Sequence, residues 1–72
     1  MKFRANDYTA GECLRIMREW TGLKQEEFGK SIGFSKHTIG STEIGRQRSY
    51  FDTILKIAEI HNIEIIIQKK GD

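Results

Sequence analysis

The sequence predicts a mostly α fold: a compact four-helix domain with a C-terminal β-strand that pairs across a homodimer. Three observations carry this. Four stretches with apolar residues at helical spacing alternate with glycines and capping residues. There is no proline, so glycines and caps alone punctuate the chain. After the fourth stretch the apolar period changes to two, in an isoleucine-rich run. The 72 residues make one domain, 1–72.

Thr9-Ala10-Gly11-Glu12 is a capping-box pattern, in which the Thr9 hydroxyl and the Glu12 carboxylate each accept the other residue's amide. Leu14 and Met17 then recur at helical spacing, with Cys13, Ile16 and Trp20 filling in, and Gly22 suits a stop. This predicts a helix over about 10–21. A second helix runs over about 25–32, with Glu26 and Glu27 at its dipole-favoured first turn and Leu23, Phe28 and Ile32 as its apolar stripe. Gly33 ends it where the chain must turn with φ > 0. Ser35 caps a third helix that ends near Ile44, before Gly45. Only Ile39 is strongly apolar between Lys36 and Glu43, so this is a poor core helix with some other use. The fourth helix spans about 50–61, capped by Ser49 with Asp52 three residues on. Phe51, Ile54, Leu55 and Ala58 form its stripe, and Ile57 and Ile60 widen it beyond what one small helix needs.

Residues 62–70 read as a strand, with isoleucine at 63, 65, 66 and 67. The only other extended candidate is the short Lys2-Phe3-Arg4 segment. A solitary apolar strand exposes unpaired backbone. Pairing with the same strand of a second copy about a two-fold axis is the simplest remedy. The expected dimer interface is therefore Ile57, Ile60, Ile63, Ile65, Ile66 and Ile67.

Composition narrows the function. A chain this short buries only about 60% of its unfolded surface, so association helps it. Twelve basic and ten acidic residues give a net charge of +2, mildly basic. No membrane span is expected, and MKFRANDY has no apolar run behind its basic residues, so a signal peptide is not expected. A single cysteine excludes an internal disulfide framework and suits a reducing, cytoplasmic setting. Cys13 reads as core rather than nucleophile, and Trp20, Phe28, Phe34 and Phe51 read as core rather than a base-stacking platform. His37 and His61 have no acid or cysteine at metal spacing, and phosphate-loop motifs are absent. No catalytic residue, metal or cofactor is expected; a binding module fits better than an enzyme.

The second and third helices have the spacing of a helix-turn-helix, over about 25–44. Counting Gln25 as the first position, Phe28 is an apolar fourth and Gly29 a small fifth, where the helices come closest. Gly33 is the turn glycine at nine, and Ile39 is an apolar fifteenth. With L-R-I-M-R-E at 14–19, G-L-K-Q-E-E-F at 22–28, I-G-F-S at 32–35 and T-I-G-S-T-E-I-G at 38–45, the stretch Leu14–Ile60 resembles the Cro/lambda-repressor-like family. The resemblance implies a compact bundle of four or five helices. It also implies an ion pair between Arg18 and Glu43, which fixes the reading helix without touching DNA. Two positions depart from the family pattern: Lys24 stands where a Ser or Thr usually caps the second helix, and Thr42 where an apolar residue is usual. A fourth helix followed by a strand departs from phage repressors and looks more like the HipB-like antitoxins that partner HipA-type kinase toxins.

In such a motif the third helix enters the major groove of double-stranded DNA. By helical geometry and by match to the family's reading positions, Lys36, His37, Thr38 and Ser41 are the expected base contacts, with Gly40 permitting close approach. Lys24, Gln25, Lys30, Ser35, Arg46, Gln47 and Arg48 are the expected phosphate contacts. Charge agrees: residues 24–48 carry net +2, 1–23 net +1 and 49–72 net −1. The expected function is a homodimeric repressor on an inverted-repeat operator, serving as antitoxin and autoregulator beside a kinase-like toxin. The alternatives are a phage or prophage repressor without a toxin, and an adaptor that has lost DNA binding.

Overall fold

A computed structural model describes residues 1–71; Asp72, the last residue of the expected domain, lies outside the described residues. A short 3-10 helix, Ala5–Asp7, precedes four α-helices: α1 Ala10–Thr21, α2 Gln25–Ile32, α3 Lys36–Glu43 and α4 Phe51–Ile60. None is long and apolar enough to cross a membrane.

The caps explain the helix bounds. Thr9 and Glu12 form the full capping box, at 2.8 and 3.1 Å. Gly22 and Gly33 end α1 and α2 in the left-handed region, at φ 74° and 82°. Ser35 Oγ accepts the Thr38 amide at 3.1 Å, while Lys24 gives α2 no side-chain cap.

Leu14, Met17, Phe28, Ile32, Ile39, Ile57 and Ala58 form the core, one contribution or more from every α-helix. α3 packs on both α1 and α2, and α4 on α2. Two glycines make the approaches possible: a Cβ on Gly11 would run into the carbonyls of Thr42 and Glu43, and one on Gly29 into the carbonyl of Phe34. Thr42, at the position expected to be apolar, is buried because its hydroxyl donates to the Thr38 carbonyl at 2.8 Å.

Several expectations are corrected at the C-terminal end. Ser49 does not cap α4; the helix starts one residue later, with Tyr50 as an N-cap that makes no side-chain bond. Phe51, at 57% exposure, and Leu55 lie on the outer face of α4 instead of in the core, because Ile54, Ile57 and Ala58 already fill its inner face. Ile57 is fully buried within the monomer, which removes it from any dimer interface. Cys13 is only half-buried.

No strand forms among the described residues: neither 62–70 nor Lys2-Phe3-Arg4 has a ladder partner. Asn62 instead ends α4 at φ 56°, and the Ile63 amide donates to the Ala58 carbonyl at 2.8 Å, a Schellman closure. Ile63 packs on the core, and every residue from Glu64 to Gly71 is exposed. The molecule measures 40 × 25 × 20 Å, with a radius of gyration of 12.2 Å. A compact chain of this length has about 11 Å. At the other end Phe3 folds back, edge-on to Trp20 and Tyr8 at 5.3 and 5.6 Å between centroids.

Candidate nucleic-acid interface

α3 is held from behind. Arg18 on α1 meets Glu43, the last residue of α3, through two bonds: Nε to Oε2 at 2.7 Å and Nη2 to Oε1 at 3.1 Å. Arg18 Nη1 also donates to the Leu23 carbonyl at 3.1 Å, and Gln25 Nε2 to Glu43 Oε1 at 3.2 Å. The Glu43 side chain is 4% exposed and that of Arg18 is 16% exposed. Hydrogen bonding to Glu43 pushes the Arg18 guanidinium's pKa up, against the opposing effect of burial. One buried carboxylate thus ties α1, the start of α2 and the end of α3 together. Only the Arg18–Glu43 part of this was legible in the sequence; the Gln25 branch was not, because a side-chain amide has no pairing rule that spacing can reveal.

Ile39 and Thr42 face inward from α3, which leaves Lys36, His37, Gly40, Ser41 and Ile44 on its outer side. These residues line an open groove of about 420 Å³ whose borders are Gln25 and Arg46. His37 Nε2 stands 3.5 Å from Ser41 Oγ, at the limit of a hydrogen bond. Thr38 lies at the margin: it is half-buried, and its hydroxyl accepts from Ser35 Oγ at 3.0 Å. It lines a second cleft of about 320 Å³ between α3 and α4, with Thr42, Arg48 and Ser49. Ser49 Oγ is buried there with no partner among the described residues.

The expected phosphate-binding residues divide. Lys24, Ser35, Arg46, Gln47 and Arg48 are exposed. Lys24, Lys36, Arg46 and Arg48 form no ion pair among the described residues, so their charge faces solvent. The amides of Arg46 and Gln47 both donate to the Ser41 carbonyl, at 2.9 and 3.2 Å, and fix the loop after α3. Gln25 is half-buried and engaged with Glu43. Lys30 lies away from the groove, 3.7 Å from Glu26 on the outer side of α2.

Two residues escaped the sequence reading. Ile44 looked like the helix end, yet it sits 70% exposed at the edge of the groove. His61 looked idle, yet its ring stacks on Phe28 at 5.2 Å. The Ser31 hydroxyl donates to the Phe28 carbonyl at 2.6 Å, so His61 Nε2 donates to Ser31 Oγ at 2.8 Å.

Two short helices joined by a glycine turn, one buried against the core and one presenting a polar face, define a helix-turn-helix unit. Comparison with known families agrees: a family described as a helix-turn-helix domain matches residues 9–64, and the chain belongs to it. It is thereby a DNA-binding domain of the type found in regulators. No curated protein and no solved structure matches the chain.

Proposed function

We propose that this chain is a sequence-specific double-stranded DNA-binding repressor that acts as a homodimer on an inverted-repeat operator. The observation that carries the reading is the outward polar face of a helix clamped from behind by Arg18 and Glu43. Lys36 donates to guanine O6 and N7, His37 and Ser41 bond base edges, and Thr38 contacts the groove wall beside them. Lys24, Ser35, Arg46, Gln47 and Arg48 hold the phosphates on either side, together with the amides of α2 that Lys24 leaves without a side-chain cap. Lys30 contributes only to the general field, because Glu26 offsets it. Repression follows from occupying a promoter that polymerase needs.

Dimerisation rests on the tail. Ile65, Ile66 and Ile67 are exposed, Ile67 at 83%, and so is Ile60 on α4. Two antiparallel tails satisfy each other's backbone and cover these side chains, with Ile63 anchoring each to its own core. An ending of this kind supports the antitoxin reading, in which the protein also holds a kinase-like toxin. Co-purification of such a toxin from its native host supports that role, and its absence leaves a plain repressor. An adaptor without DNA contacts has no use for four unpaired cations around α3.

The test is selection from random duplexes. The proposal expects enrichment of an inverted repeat, and a pool that shows none overturns it.

A further inference from the structure

The outer ridge of α3 runs through Lys36, Gly40 and Ile44 at i, i+4 and i+8. Folding explains neither of the last two. Glycine inside a helix is disfavoured against alanine. Gly11 and Gly29 are required, since a Cβ at either meets backbone. A Cβ on Gly40 meets nothing nearer than the tip of the Gln25 side chain, 3.4 Å from Oε1, which is an ordinary contact. The interior therefore does not ask for glycine there; the missing side chain opens toward the groove. Ile44, the C-cap residue one turn further on, lines the same groove. The result is a groove that carries no side chain at Gly40, with the Gln25 amide beside that gap and Ile44 as the one large apolar residue of an otherwise polar lining.

We propose that Gly40 and Ile44 read the 5-methyl group of a thymine. Gly40 lets the base edge reach the helix backbone, and Ile44 packs on the methyl, the one apolar group that the major groove displays. This deepens the DNA-binding reading and rests on it.

The test uses the selected operator with its thymines replaced singly by uracil, which removes only that methyl. Affinities are measured for the natural protein, Ile44→Ala and Gly40→Ala, with circular dichroism to check that each variant is helical. Ile44 is exposed, so its truncation leaves the core intact. One thymine in each half-site should lose about fourfold in affinity on replacement in the natural protein, the value of one buried methyl. Ile44→Ala should be indifferent to the same replacement, and Gly40→Ala should bind the thymine operator more weakly. Equal uracil effects with and without Ile44, or none anywhere, overturn the inference while salt-dependent duplex binding persists. Absence of any salt-dependent duplex binding overturns the DNA-binding reading itself, and this inference with it.

Discussion

At the scale of single residues, the Arg18–Glu43 pair decides whether α3 is presented as a rigid rod. Both charges are out of solvent and Glu43 accepts three hydrogen bonds, so removing either partner strands a charge. Arg18→Ala or Glu43→Ala should each lose about 3–5 kcal/mol in urea unfolding. Replacing both together with Met and Leu should recover most of that loss, because the desolvation cost disappears along with the attraction. The double variant should fold yet bind DNA more weakly, since the end of α3 is no longer tied to α1 and Gln25. A fully stable single variant contradicts the clamp. Cys13 offers a smaller check. Burial, then the neighbouring Glu12 charge, pushes its thiol pKa up, so less thiolate is present at pH 8 than in a free thiol. Alkylation of the folded protein at that pH should be slower than that of free cysteine, and should speed up in denaturant.

At the scale of elements, α1 to α3 were legible because their ends carry explicit local signals: a capping box, left-handed glycines and a serine N-cap. The end of the chain lacks them. Ser49 looks like a cap but its hydroxyl has no partner among the described residues, and spacing alone could not show how much of α4 the small core would cover. Phe51 and Leu55 obey helical periodicity on the wrong side of that limit. The isoleucines after Asn62 obey strand periodicity, but a ladder needs a partner strand, and none stands among the described residues. The outward face of α3 was legible from its poverty of apolar residues, whereas Ile44 was missed because its side is set by packing. The helical glycines give a paired prediction. Gly29→Ala forces the α2 backbone off the Phe34 carbonyl and should lose about 1–3 kcal/mol, as overpacking does. Gly40→Ala meets only the Gln25 amide, at an ordinary contact of 3.4 Å, and should gain about 0.5–1 kcal/mol, the helix-propensity difference. Thermal melts of the two variants should therefore shift in opposite directions; a shift in the same direction would place Gly40 in the packing and remove the case for an outward gap.

At the scale of the whole molecule, the folded part is small, and Phe51, Leu55, Ile60, Ile65, Ile66 and Ile67 place much of the exposed apolar surface on α4 and the tail, while Ile44 stands beside the cations around α3. In the proposed dimer two copies join by their tails, and both third helices stay free for DNA. Two-fold symmetry then sets the half-sites about 34 Å apart, one turn of the duplex. Ile65→Lys places a charge in the paired tails without touching the monomer core, because Ile63 is the last residue packed there. Sedimentation should find that variant monomeric, with its circular dichroism unchanged and its affinity for the two-site operator much reduced. Its affinity for an isolated half-site should stay the same, since each copy keeps its own α3. Salt titration supplies the independent count: the logarithm of affinity falls by about 0.9 per neutralised phosphate. Arg46→Ala should therefore flatten the slope by about 0.9 for each copy bound, and so by twice as much in the dimer as in Ile65→Lys. A variant that stays dimeric despite Lys at 65 rules out tail pairing, and a slope change that is the same for both proteins rules out two copies on one operator.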